Sequence, residues 1–416
     1  MTTLQNIKML VRDAMRSLPL AAWLLLSFFF RRRSSHDVDH PIEGPTLVFL
    51  TNAIGDTVLA LPALDAITRA LSSEDVDVLM RPKTAPLLMG YPGIRNIFTI
   101  EKLNFPFAAR ALLANVSALY RLRRQRYGSA LILTSNFWTA WMAFLVSAKR
   151  RYGFSRLEQV GLFRASAFGF LLTHDMGEAK TRNYMEAHLE FAEWLGISVN
   201  NQPNVPKLEV AHSYNGNGLI DRVSTTAAGK PIVVINPFAS QRVKEWPLNH
   251  WLDLAESMAR CSVFVVICCE SDRSNELSTK LKQDPNMLLL SGLSLPDFIS
   301  LLALANVVVT NDSGPLHLSQ ALRKPTVAIF GPTHPREVLP KDRRMIVVRH
   351  EIECSPCYHL GSYDLCPLGH HRCLKEIRPT EVLAPVLAYL VGAANDHVSS
   401  ADIIRQSVET TTVAIR

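Results

Sequence analysis

The 416-residue chain contains no G-x-G-x-x-G fingerprint, which counts against a nicotinamide-dependent enzyme. It also lacks an apolar run long enough for a simple membrane span. The almost wholly apolar stretch Leu18 to Phe30 would reach only ~20 Å as a helix, against a hydrocarbon core of ~30 Å. There is no internal repeat or low-complexity tract, and charged residues make up only 19% of the chain, which excludes long disorder away from the ends. Nothing resembles a helix-turn-helix, an aromatic RNA platform or a zinc finger of the nucleic-acid type. The formal charge of +7 therefore favours a phosphorylated small molecule or an anionic membrane, with nucleic acid last.

What is present is apolar material, at 48%, enough for two or three sizeable cores. The short apolar run Val307 to Thr310, the small-residue turn Asn311 to Gly314, a helix over Pro315 to Leu322 and a second run over Thr326 to Phe330 predict a strand–helix–strand unit. In a parallel sheet its turn lies at the carboxyl edge, where backbone N–H groups and a helix amino terminus suit a phosphate. Strands are further predicted over Thr46 to Leu50, Val76 to Leu79, Asn96 to Thr99, Ala130 to Thr134, Pro231 to Asn236 and Ser262 to Cys268. Helices are predicted over Thr57 to Leu71, Phe107 to Arg126, Thr181 to Leu195, Leu248 to Arg260 and Thr380 to Val391. This alternation predicts an α/β protein with two parallel-sheet domains, 41–205 and 206–392, an amino-terminal segment 1–40 and a mobile tail 393–416.

Three ordered motifs carry a resemblance. They are Asn52-Ala-Ile-Gly55-Asp56 after the first strand, Asn236-Pro-Phe-Ala-Ser240-Gln-Arg242-Val-Lys244-Glu-Trp246-Pro247, and Asp312-Ser-Gly-Pro-Leu-His317 followed by Lys-Pro-Thr-Val-Ala-Ile-Phe-Gly-Pro. Together they resemble glycosyltransferase family 9, the ADP-heptose:lipopolysaccharide heptosyltransferases. The resemblance implies the GT-B arrangement, two Rossmann-like domains facing a cleft, and transfer of heptose from ADP-heptose to a lipopolysaccharide core acceptor with inversion. No cofactor is implied for transfer. Asp56 would be the catalytic base; read without the resemblance, it is equally a helix N-cap. Ser240 and Lys244 would hold the diphosphate together with the backbone at Ser313 and Gly314, while Asp312 would hold sugar hydroxyls. An acid after the strand ending at Cys268 would read the ribose, either Asp272 or Glu270. His317 reads as a satisfied core residue, and Arg151-Tyr-Gly-Phe154 resembles a family turn. A UDP-sugar epimerase on a similar scaffold and a non-catalytic envelope-assembly scaffold are the alternatives.

The cluster Arg121, Arg123, Arg124, Arg126, Lys149, Arg150 and Arg151 reads either as solvated helix ends or as a basic collar for a phosphorylated or lipid-linked acceptor. Residues 18–30, followed by Arg31, Arg32 and Arg33, predict a helix lying on the inner face of the cytoplasmic membrane; a signal anchor and a docking helix are the other readings. Cys268 and Cys269 read as buried thiols of a reducing compartment. Cys354, Cys357, Cys366 and Cys373 have the spacing of a small structural zinc or iron knuckle, with disulfides or plain thiols as rivals. Sequence position places this knuckle away from the three motifs.

Overall fold

The computed structural model describes residues 42–392 apart from 72–74, 102–108, 135–136, 156–170, 201, 203–204, 209–217, 341–343 and 358–363. The expected apolar helix over residues 18–30 and the tail 393–416 thus lie outside the described residues. Among the described residues no helix is long and apolar enough to cross a membrane.

Two six-stranded sheets form the frame, and all their strands pair in parallel. The first runs β3-β2-β1-β4-β5-β6, with β1 Thr46–Leu50, β2 Val76–Met80, β3 Asn96–Thr99, β4 Ser129–Ile132, β5 Arg150–Ser155 and β6 His174–Glu178. The second runs β12-β11-β10-β7-β8-β9, with β7 Ile232–Asn236, β8 Phe264–Cys269, β9 Met287–Ser291, β10 Val307–Asn311, β11 Thr326–Ile329 and β12 Met345–Val348. Counted from its own first strand, each sheet has the order 3-2-1-4-5-6. Each therefore has a switch point, β1/β4 in the first and β7/β10 in the second, where the loops on either side part and leave a crevice at the carboxyl ends. The central strands β1, β2, β4, β8, β10 and β11 are buried throughout. Helices on both faces of a parallel sheet require this, and it explains why these strands read as continuous apolar runs without alternation.

The principal helices are α1 Ile54–Leu59, α2 Leu61–Ala70, α3 Ala109–Arg124, α4 Phe137–Val146, α5 Tyr184–Trp194, α6 Leu219–Ala227, α7 Leu248–Arg260, α8 Leu295–Leu304, α9 Gly314–Ala321 and α10 Pro379–Gly392. The expected helix 57–71 starts earlier and is broken. Thr57 N donates to Ala53 O at 3.0 Å, so the first turn begins at Ile54. Pro62 has no N–H with which to continue the ladder, and the chain restarts after Ala60. Arg151-Tyr-Gly-Phe154 forms no turn; it is the body of β5, paired with β4 from Arg150 onward.

The two halves are tied together by polar contacts. Asn183 caps α5 by accepting from Met185 N and Glu186 N, and its Nδ2 donates to Arg336 O and Leu339 O, both at 2.9 Å. Leu208 N donates to Ala321 O at 3.0 Å.

Candidate functional site

The switch-point loops of the two sheets meet. After β1 the chain turns through Thr51, whose N–H donates to Thr134 Oγ1 beyond β4 at 2.9 Å, and enters α1. After β10 it turns through Asp312 and Ser313 and enters α9. The two helices touch through small residues. A Cβ on Gly55 would lie 2.6 Å from His317 Cδ2, and one on Gly314 would lie 3.4 Å from Ile54 Cβ. Gly55 thus admits the imidazole ring against its backbone, a close approach only glycine permits.

Asp56 lies in the first turn of α1. It is not the N-cap, because that position is Ala53 and carries no side-chain cap, which removes the capping reading. Its carboxylate is half-buried beside two cationic or potentially cationic groups. Burial lowers the Arg81 guanidinium from its ordinary value and Asp56 opposes that; burial likewise lowers the His317 imidazole, with Asp312 and Asp56 opposing. His317 is therefore influenced by both carboxylates. It is buried, yet its Nδ1 has no hydrogen-bond partner among the described residues, so the expectation of a satisfied core histidine is corrected.

On the other side of the crevice, Lys244 Nζ donates to Asp312 Oδ2 at 2.7 Å, with the two side chains 14% and 4% exposed. Burial alone would raise the Asp312 carboxyl, but the Lys244 ammonium and then His317 hold it below the ordinary carboxylate value. Ser240 is exposed in the same loop as Lys244, four residues earlier. Ser313 occupies the N-cap position of α9, its Oγ 3.3 Å from Thr310 Oγ1, and makes no side-chain cap. The first N–H groups of that helix thus receive no side-chain cap from Ser313.

Sequence reasoning passed over several members of the site. Asn311 is fully buried; its Nδ2 donates to Pro237 O at 2.9 Å and its Oδ1 accepts from Trp246 N at 3.0 Å, locking the end of β10 to the Lys244 loop. A buried asparagine ending an apolar run was the available signal. Glu245 accepts from Ala239 N at 3.1 Å and from both terminal nitrogens of Arg273, at 3.1 and 3.3 Å, and the Arg273 guanidinium lies 3.8 Å from the centre of the Phe238 ring. Asp272 and Glu270 are both exposed at the end of β8, in and just before a single helical turn over Ser271–Arg273.

One expectation about placement is overturned, and of the two readings of the basic cluster the collar is not the one that its position favours. The basic collar is at the wrong edge: Arg150 and Arg151 open β5, paired with Ser129 and Ala130 at the amino ends of the strands, and α3 delivers Arg121, Arg123 and Arg124 to that same edge. Arg150 pairs with Glu43 at 3.1 Å, and Arg151 donates to Leu171 O and Ala148 O at 2.6 and 2.8 Å, so these two arginines serve the fold. The cysteine segment, conversely, lies against the Lys244 loop: Arg242 N donates to Asp364 Oδ1 at 3.2 Å and His371 Nε2 lies 2.7 Å from Val243 O. All seven cysteines are free thiols. Cys373 is pushed up to about 12 by burial first, then by Cys357, Cys366 and Cys354, so the four stand near one another. Among the described residues no three His, Cys, Asp or Glu side chains are gathered as metal ligands.

Comparison with known proteins follows the same lines. The lipooligosaccharide heptosyltransferase 2 of Campylobacter jejuni serotype O:2 is 30% identical over 162 residues, 37% of this chain and 50% of that one; the chain thus spans about half the length of this relative. The lipopolysaccharide heptosyltransferase 2 of Escherichia coli K12 is 24% identical over 364 residues, covering 83% of this chain and 98% of that one. In three dimensions the chain is similar to the E. coli ADP-heptose lps heptosyltransferase II structure, with a TM-score of 0.64 and 21% identity over 84% of this chain and 99% of that one. The sequence profile of glycosyltransferase family 9 (heptosyltransferase) matches residues 116–365, from within α3 to a point just before Cys366, and the chain belongs to that family.

Proposed function

We propose that the protein transfers heptose from ADP-heptose to a lipopolysaccharide core acceptor, with inversion at the anomeric carbon. The observation that carries this reading is the pairing of the Lys244–Asp312 ion pair on one side of the crevice with Asp56 on the other, where α1 meets α9. The acceptor hydroxyl oxygen attacks the anomeric carbon from the Asp56 side as its proton passes to the Asp56 carboxylate. The bond from that carbon to the diphosphate oxygen breaks, and its electron pair leaves on ADP. Lys244, Ser240 and the N–H groups at Ser313 and Gly314 neutralise the charge that develops there. Lys244 pairs with Asp312, so the ammonium is held in place by a carboxylate it can share with the donor diphosphate. Asp312 then offers its second oxygen to sugar hydroxyls. Asp272 is the proposed ribose acceptor, its exposure leaving it open to two hydroxyl donors.

The reading extends to position in the cell and to a metal. The protein works at the inner face of the cytoplasmic membrane, held there by residues 18–30 and the arginines after them, where a lipid-linked acceptor is presented. Cys354, Cys357, Cys366 and Cys373 hold one structural zinc or iron ion. The donor set suits either metal, and the four thiols would have to gather around the ion to hold it.

The decisive experiment is Asp56→Asn. Turnover with ADP-heptose and a lipopolysaccharide core acceptor should fall by roughly 100-fold or more while ADP affinity is unchanged. Undiminished turnover in the folded variant removes Asp56 from the mechanism.

A further inference from the structure

The loop bearing Ser240 and Lys244 is braced on both flanks. On one flank stand Glu245 and Arg273, already described. The other flank is the cysteine segment. Asp364 Oδ1 accepts from Arg242 N at 3.2 Å, and His371 Nε2 lies 2.7 Å from Val243 O. A carbonyl oxygen can only accept, so the ring donates from Nε2–H. Trp246 Nε1 closes the loop by donating to Ile377 O at 3.0 Å. The segment is itself anchored to the turn after β11: Ser355 Oγ donates to Gly331 O at 2.6 Å, Cys357 N donates to Pro332 O at 2.9 Å, and a Cβ on Gly331 would lie 2.5 Å from Leu374 Cγ. His371 is held at φ 55°, in the left-handed region, a conformation that survives in a residue with a Cβ where its surroundings fix it.

We propose that Asp364 and His371 are positioning residues for the transfer reaction: by holding the backbone at Arg242 and Val243, they set where Lys244 meets the donor diphosphate. The inference rests on the reading of residues 239–246 as the donor loop. A loop fixed before the ligand arrives loses less conformational freedom on binding, so loosening it weakens the donor and leaves the chemistry of a bound molecule nearly intact. Neither residue touches the donor in this scheme; both act through the loop.

The test uses the full chain carrying His371→Leu, His371→Gln or Asp364→Ala, with two readouts: amide hydrogen exchange of residues 239–246 and calorimetric binding of ADP. Leu removes the donor to Val243 O, whereas Gln keeps an N–H at similar reach. In His371→Leu and Asp364→Ala, exchange of the loop should rise about 10-fold or more, ADP should bind about 10-fold more weakly, and KM for the nucleotide sugar should rise with kcat within about 2-fold. His371→Gln should restore all three. Asp364 is exposed, so its variant decides the question should His371→Leu fail to fold. Unchanged loop exchange in the folded variants, or His371→Gln behaving as His371→Leu, overturns the proposal. Faster loop exchange together with no ADP binding by the unsubstituted protein supports the bracing and overturns the donor assignment.

Discussion

Lys244→Ala should destabilise the protein in a way that depends on pH, and the sign follows from the Lys244–Asp312 pair. Asp312 is 4% exposed, and its carboxyl is held below the ordinary value because the ammonium at 2.7 Å outweighs burial. In the unsubstituted protein this group contributes stability above its unfolded value, near 3.9, and loses it as pH falls through the lower folded value. Removing Lys244 takes away the largest opposition to burial and leaves only the weaker contributions of His317 and Thr333, so the folded value moves above the unfolded one. The cost then appears as pH rises through that new folded value and is relieved in acid, where Asp312 is neutral. His317 compensates only in part, because burial, the largest influence on its imidazole, lowers it even with Asp312 and Asp56 opposing. An uncompensated buried carboxylate costs about 3–5 kcal/mol. In the thermal transition of the domain holding the second sheet that is a loss on the order of 10 °C at about pH 7.5, shrinking by half or more at about pH 4.5. Scanning calorimetry resolving the two domains measures it, and Lys244→Ala/Asp312→Asn should recover most of the loss at the higher pH. Equal destabilisation at both pH values, or a double variant no better than the single, would refute the argument.

Asn311→Ala leaves Trp246 N and Pro237 O without partners in a fully buried position, so stability should fall by about 2–4 kcal/mol, measured by urea unfolding, with Asn311→Asp recovering little because its second oxygen cannot donate to Pro237 O. Elemental analysis of protein purified without chelator should find close to one equivalent of zinc or iron; less than about a tenth, with four titratable thiols in the cysteine segment, removes the metal. Deleting residues 1–33 should move the protein from the membrane pellet to the supernatant while activity on a delipidated acceptor persists; a truncated protein that still pellets has its anchor elsewhere.

Much of the frame was legible because each central strand is a short apolar run ended by a turn residue, a pattern that parallel strands covered on both faces require. Helix α7 matched its expected limits, since Pro247 gives a hard start and Arg260 ends the apolar periodicity. The motifs singled out Asp56, Ser240, Lys244, Asp312, Ser313 and Gly314, and the sheet order accounts for their placement: each lies on the segment that leaves β1, β7 or β10, in the turn or the first helical residues after it, beside the two switch points. The local conformation at Asp56 was not legible. Whether an acid near a helix start caps it or lies one turn in depends on which amide first finds a carbonyl, and Thr57 N finds Ala53 O.

What escaped the sequence was what depends on contacts between distant segments. Arg81 becomes a neighbour of Asp56 because β2 pairs with β1 and brings their carboxyl ends together, some 25 residues apart in the chain. The arginines ending α3 and opening β5 have the composition of an anion site, yet a helix that precedes a parallel strand must end at that strand's amino edge, across the sheet from the crevice. The cysteine segment shows the converse: far from Lys244 in sequence, it follows β12 and must return over the second sheet to reach α10, which packs on α7. That return carries Asp364 and His371 past the loop between β7 and α7. A change at these thiols, whether metal binding or oxidation, acts on a segment that already holds the backbone of Arg242 and Val243. Its effect should therefore be sought in donor affinity as well as in stability.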